Sequence, residues 1–335
     1  MMKIKKIFSI IIITALCLGK INSQTTTPAT LPLSGIQFFN HDYDALNSIQ
    51  STQTILDSVK TTYTAGSSIV LNPGFHAVAG SEFTAKIEDV SHRITIMTTN
   101  LHKRKHTEQA ENISLINPDI VSVQEIKFPP INFTKMMNKS EYNGEYCATI
   151  TIATPPTLPS PPFPPSPPSI TDLFGIGILW KPSLTPPAIY KRTMPVLDSD
   201  GFRAYIIAVF PEYCVVATHY STNESSRKNM THLILTDPEV VKCKNLNKPV
   251  YIAGDMNAES GEDGVKDLEN ADFVVLNDST SRIDLILEYN KNSNHKVISQ
   301  GIAIPLPFIT EDQWLDEDHG GISDHLPRYV RVKFK

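Results

Sequence analysis

The sequence has few cysteines, one apolar run of any length and no excess of basic residues, and each shortage narrows what the chain can be. It holds 4 cysteines in 335 residues. None forms a CxxC spacing, which argues against a thiolate zinc site. Beyond Cys17, the cysteines Cys147, Cys214 and Cys243 allow at most one disulfide. Cys147 and Cys214 lie in strand-like runs, where a thiol serves equally well as a small buried apolar group. The apolar run from Ile7 to Leu18 follows Lys3, Lys5 and Lys6. It is too short to span a bilayer comfortably and reads as a secretory signal cleaved after Ser23. Leu16 stands where a lipoprotein signal wants a small residue before Cys17. No later run is long enough for a membrane helix, so the mature chain reads as soluble and exported: secreted, periplasmic or at the cell surface. The signal carries Lys3, Lys5, Lys6 and Lys20 and no acid, so its removal moves the net charge from −5 to −9. So acidic a chain is not a general polyanion binder. A bound metal can still supply the local positive charge that a nuclease needs.

The ordered chain falls into two units. Residues 24–34 are Thr- and Pro-rich and read as a flexible leader. Residues 35–89 form a small β-rich module, with short strands at Ser68–Leu71, around Phe75 and at Phe83–Ile87 separated by Gly turns. His76 in that unit reads as an ordinary turn or core histidine. The stretch "SSIVLNPGFHAVAGSEFTAKI" resembles β-rich modules carried by exported proteins of Bacteroidetes, which implies a spacer, adhesive or cell-surface role and no chemistry. The second unit, residues 90–335, is strand-rich with few helices and reads as α+β. Strands are expected at 93–99, 120–125, 146–153, 173–180, 202–210, 213–219, 249–253, 273–276, 283–287 and 329–334, and helices at about 106–115 and 224–235. The stretch 153–169 holds 9 of the 25 prolines and reads as an extended loop lengthening a hairpin.

The chemistry gathers at strand ends. The run Pro249–Ala253 reads as a buried strand, and Gly254-Asp255-Met256-Asn257 closes it with a carboxylate and an amide two residues apart. A carboxylate can take a proton from water and an amide can hold an oxyanion, a pairing suited to phosphate-ester hydrolysis. Asn100, Glu125, His219, Asp284, Asp324 and His325 occupy similar positions. Asp284 interrupts an apolar strand, so it must be paired or ligated if buried.

The segments "TTNL", "SVQEIK", "ATHYS", "AGDMNA", "SRIDLIL" and "ISDHLP" resemble, in that order, the endonuclease/exonuclease/phosphatase superfamily, over about Arg93 to Lys335. The resemblance implies a four-layer sandwich of two mixed β-sheets flanked by helices. It implies Glu125 as principal Mg²⁺ ligand, with Asn100 beside it and Asp324 completing the site; Mn²⁺ and Ca²⁺ are alternatives. It makes Asp255 the residue that orients or deprotonates water, and Asn257 the holder of a phosphate oxygen. His325 would contact the phosphate with Asp284 fixing its tautomer, and His219 would stabilise the phosphate or assist the leaving group. Arg203 is a candidate phosphate clamp. About 26 residues separate Asn257 from Asp284, leaving little room for a long substrate-reading loop. No tyrosine takes the place that abasic-site enzymes give one. The expected function is an exported monomeric phosphodiesterase acting on DNA or RNA. A sphingomyelinase or inositol-phosphate phosphatase shares the chemistry, with Trp314 as the candidate membrane contact and Trp180 in the core. A non-catalytic surface-binding protein is the remaining alternative.

Overall fold

The computed structural model describes residues 30–37, 40–90, 93–101, 106–127, 130–150, 173–194, 203–277, 283–289, 295–303, 315 and 325–334. The signal segment, residues 24–29, the proline-rich stretch 153–169, Trp314 and Asp324 lie outside them.

The amino-terminal module is built from three stacked coils of about twenty residues. The first coil is β1 (Thr30–Leu33), β2 (Ile36–Gln37) and β3 (His41–Ala45). The second is β4 (Ser48–Ser51), β5 (Thr54–Ile55) and β6 (Lys60–Ala65), and the third β7 (Ser68–Leu71), β8 (His76–Ala77) and β9 (Glu82–Ile87). Each strand pairs in parallel with its counterpart one coil on, giving three sheets ordered β1-β4-β7, β2-β5-β8 and β3-β6-β9. The module is therefore a short parallel solenoid. Because β1 begins at Thr30, it starts inside the stretch expected to be a flexible leader. Ala45, Ile49, Tyr63 and Ala65 fill its axis. Tyr63 meets Tyr43 and Phe83 edge-on, with ring centroids 5.6 and 4.9 Å away. Its hydroxyl accepts from Ser51 Oγ and donates to Gln53 Oε1, so its buried polar tip is satisfied. His76 is exposed on β8 and not part of the core.

The second unit comprises, in chain order, β10 (Arg93–Asn100), α1 (His106–Ile116), β11 (Ile120–Gln124), α2 (Ile131–Ser140), β12 (Asn143–Ile150), β13 (Leu173–Trp180), β14 (Ala188–Met194) and β15 (Arg203–Val209). It continues with β16 (Cys214–His219), α3 (Glu224–Thr236), α4 (Pro238–Asn245), β17 (Val250–Asp255), α5 (Val265–Asn270), β18 (Phe273–Val275), β19 (Asp284–Tyr289), β20 (His295–Ile302) and β21 (Arg328–Phe334). One sheet runs β12-β13-β11-β10-β21-β20 and the other β14-β15-β16-β17-β19-β18. Both are mixed, with parallel pairs β10/β11 and β16/β17 at their centres.

Side-chain alternation sorts the core into layers. On β17, Tyr251 and Ala253 face the opposing sheet and pack, beside Ile206 of their own sheet, against its Ile96, Ile178 and Val330. Val250 and Ile252 face the helices, among Met230 and Ile234 of α3, Val240 of α4 and Leu268 of α5. Phe133 and Met136 of α2 cover the outer face of the first sheet with Ile113 of α1. Each such side chain, fully buried, contributes about 1.5–3 kcal/mol, and the sum holds four layers together. Trp180 is buried, as expected.

Two sequence expectations are sharpened. Strands β12 and β13 pair antiparallel from Asn143↔Trp180 to Ile150↔Leu173. The proline-rich stretch therefore lengthens a hairpin and is no interdomain linker. Asp237-Pro238 does end α3, but it also starts α4: the Asp237 carboxylate accepts from the Glu239 N–H at 2.9 Å, and Pro238 takes the first helical position, where no N–H is needed.

The module is docked and not merely tethered. Arg93 Nη1 of β10 lies 2.9 Å from Asp44 Oδ1. Arg331 Nη1 of β21 lies 3.3 Å from Asp44 Oδ2, and Lys333 Nζ donates to Glu88 Oε1 at 2.7 Å. Arg93 is nearly buried, its side chain 6% exposed. No helix among the described residues is long and apolar enough to cross a membrane.

Candidate active site

The two central parallel pairs end side by side at one rim of the sandwich. In the first sheet, β10 ends at Asn100 and β11 stops one residue short of Glu125. In the second, His219, Asp255 and Asp284 stand abreast on β16, β17 and β19, with His219↔Asp255 and Asp255↔Asp284 as register partners. The Asn100 amide joins the sheets: its Nδ2 donates to Glu125 Oε1 at 3.2 Å and to Asp255 Oδ2 at 3.1 Å. Below it, Thr98 Oγ1 donates to Gln124 Oε1, Gln124 Nε2 to Ser122 Oγ, and Ser122 Oγ to the Ala253 carbonyl. This buried polar chain crosses from one sheet to the other and fixes their spacing under the site.

Asp255 is the hub. It is 1% exposed. His219 Nε2 lies 3.5 Å and His325 Nε2 3.7 Å from its Oδ2, while its Oδ1 accepts from the Asn257 N–H at 2.9 Å. Its carboxyl is pushed up to about 7, by burial first and then by the neighbouring Asp284 carboxylate, against the opposing pull of His325, Asn257 and Asn100. Asp284 is held in turn. Its Oδ2 accepts from His325 Nδ1 at 2.8 Å, which fixes that ring's orientation.

Three backbone positions, Gly254, Glu125 and Asn257, explain how the chain reaches this geometry. A Cβ at Gly254 would stand 2.0 Å from the Thr218 carbonyl oxygen, so β16 and β17 approach this closely only because residue 254 has none. Glu125 and Asn257 both have left-handed backbone, at φ 53° and 46°. Such backbone is uncommon outside glycine and is concentrated at functional sites. Asn257 Nδ2 donates to the Tyr220 carbonyl at 2.8 Å. The strand ends at Asp255, so Asp255 and Asn257 are brought together by this bend and not by strand alternation. The same holds for Glu125, which follows β11.

Arg203, at the start of β15, places Nη1 3.2 Å from His219 Nδ1. The structure thus gathers Asn100, Glu125, Arg203, His219, Asp255, Asn257, Asp284 and His325, while Asp324 lies outside the described residues. Asn277 escaped the sequence reading. Its Nδ2 donates to the Asp284 carbonyl at 2.7 Å and its Oδ1 accepts from the Ile286 N–H at 2.8 Å. An asparagine just after an apolar strand, in "VVLND", was the available signal.

The donor set fits a divalent cation. Two carboxylates, Glu125 and Asp255, converge on one amide nitrogen, a place where negative charge accumulates. Asp284 Oδ1 is buried with no hydrogen-bond partner, an arrangement that costs energy unless something else satisfies it. Asp255, Asp284 and His325 offer ligand atoms within 4.8 Å of one another. That trio differs from the expected ligands Asn100, Glu125 and Asp324, of which Asp324 lies outside the described residues.

Comparison with known proteins follows this geometry. The model of the endonuclease/exonuclease/phosphatase family matches residues 97–325. A solved endonuclease/exonuclease/phosphatase of Beutenbergia cavernae is 13% identical with a TM-score of 0.53, and 72% of each chain is covered. The human nocturnin catalytic domain with bound sulfate is 16% identical with a TM-score of 0.52, covering 73% of this chain and 94% of that one. A mannosyl-6-phosphatase of Bacteroides thetaiotaomicron is 14% identical with a TM-score of 0.51, covering 72% of this chain and 100% of that one. Likeness at these identities establishes the fold. No curated protein matches the chain.

Proposed function

The chain belongs to the endonuclease/exonuclease/phosphatase family, whose members hydrolyse phosphoesters, and from that premise we propose that it is an exported Mg²⁺-dependent phosphodiesterase cleaving DNA or RNA. The observation that carries this reading is the Asn100 amide, which binds Glu125 beside one sheet and Asp255 on the other, where His219 and Asp284 flank Asp255.

The proposed reaction is water attack in line at phosphorus. Asp255, with its carboxyl near 7, is matched to take a proton from water at neutral pH. Asn257 orients a non-bridging oxygen. His325, steered by Asp284, donates to the phosphoryl group, and Arg203 and His219 together present positive and hydrogen-bonding groups to the phosphate and its leaving oxygen. A divalent cation on Glu125 and Asn100 would neutralise charge that builds on the phosphoryl oxygens. Export is supported by the amino-terminal signal pattern, and the solenoid is a candidate for holding the enzyme at a cell surface.

The test is hydrolysis by purified protein of plasmid DNA, RNA, sphingomyelin and inositol phosphates, each with Mg²⁺ and with chelator. Cleavage of nucleic acid in Mg²⁺ alone is expected. Intact nucleic acid beside turnover of a lipid or sugar phosphate would replace the nuclease reading with its phosphatase alternative.

A further inference from the structure

We propose that Cys214 and Cys243 are joined by a disulfide when the chain folds in an oxidising environment, and that Cys147 stays a free thiol. The pairing is open in the sequence, since three cysteines past the signal leave any two able to join. The fold decides it. Cys214 opens β16 and Cys243 lies in the last turn of α4, both buried in the layer between the second sheet and its helices, among Val216, Val240 and Val250. Both are free thiols in the structure, and each lies close enough to the other to perturb its ionisation. Cys147 sits in the other layer, between the two sheets, on the far side of the sheet that carries Cys214.

The backbone around the pair is tied to one turn. The Cys214 N–H donates to the Pro249 carbonyl at 2.8 Å, and the Lys248 N–H donates to the Cys243 carbonyl at 3.0 Å. Both cysteines are therefore anchored at the entrance to β17, whose far end carries Asp255. A bond here would staple α4 to β16 and so fix the strand frame of His219 and Asp255, stabilising chiefly by restricting the unfolded chain.

The chemistry is thiol–disulfide exchange with a disulfide-bearing oxidant such as oxidised glutathione. One cysteine thiolate attacks the oxidant's sulfur and releases one thiol from it. The second cysteine then displaces the other. Two thiols of the chain lose two protons and two electrons, one S–S bond forms, and the oxidant's S–S bond is reduced to two thiols. Because both cysteines are buried in the folded state, the exchange belongs to folding. The inference is independent of the proposed reaction.

The experiment folds the full chain in a glutathione redox buffer. The product is denatured without reductant, its thiols are alkylated, and it is mapped by proteolysis and mass spectrometry. The expected result is a peptide pair containing Cys214 and Cys243, two hydrogens lighter than the sum of its parts, with Cys147 alkylated. Alkylation of both Cys214 and Cys243, or any link through Cys147, overturns the proposal. As a second measurement, reductant should lower Tm by several degrees in the wild type and in Cys147→Ala. Unchanged Tm in the wild type would also overturn it.

Discussion

Replacing Gly254 with alanine tests whether the approach of β16 to β17 sets the site. A Cβ there would lie 2.0 Å from the Thr218 oxygen, where ordinary contact begins at 3.4 Å, so the strands would have to part by about 1.4 Å. Forcing such a contact in a packed layer costs about 1–3 kcal/mol, offset by about 0.5–1 kcal/mol because alanine loses less entropy than glycine in a strand. The net loss should be about 1–2 kcal/mol by urea unfolding. The parting acts where His219 and Asp255 are register partners, 3.5 Å apart across their side chains. An ångström-scale displacement of that pair should lower kcat about 100-fold. Gly261→Ala is the control. It too strains the fold, at φ 83°, but its Cβ would meet nothing within 4 Å, so stability should fall while kcat holds. Wild-type stability and rate in Gly254→Ala, or an equal loss of rate in Gly261→Ala, would refute the reasoning.

Three further outcomes follow from the same contacts. With chelator present, stability should fall as pH rises from about 4 to 7, because Asp255 ionises at 3.8 when unfolded but about 7 when folded. The native state then holds the proton longer, and the fall is at most about 4 kcal/mol; Asp255→Asn should flatten the profile, and equal slopes in the two proteins would count against a strained Asp255. Asn277→Ala leaves the Asp284 carbonyl and the Ile286 N–H without their partner. It should cost about 1–3 kcal/mol and lower the rate through Asp284, and an unchanged unfolding midpoint would deny it that role. Asp44→Ala strips Arg93 and Arg331 of a shared partner, leaving a nearly buried guanidinium under-compensated. Limited proteolysis should then release the solenoid from the sandwich, whereas wild-type resistance would show that the ion pairs do not hold it.

Much of the second unit was legible because buried strands ending in Asn, Glu, His or Asp break a local pattern. Asp284 is the clearest case: a charge in an apolar run demanded a partner, and His325 is that partner. What stayed hidden depends on contacts distant in sequence. The solenoid's strands are short and rich in Ser and Thr, so no local period announces that Ser48 pairs with both Thr30 and Ser68. Helix α4 was masked by Asp237-Pro238, which signals a stop and a start with the same two residues. The strands β14 and β20 were missed, the first with its face half exposed, and helix α2 hides its apolar face in an uneven run, Phe133, Met136 and Met137. The bends at Glu125 and Asn257 place side chains that alternation alone would have assigned to a straight strand.

The central claim is that one site, spanning both sheets, hydrolyses a phosphoester. The most direct measurement is the rate in saturating Mg²⁺, on whichever substrate the wild type turns over fastest, for wild type against His325→Ala. The account predicts a loss of at least about 100-fold in protein that still folds, at some cost in thermal stability because the nearly buried Asp284 loses its partner. A His325→Ala enzyme that retains the full rate would contradict it.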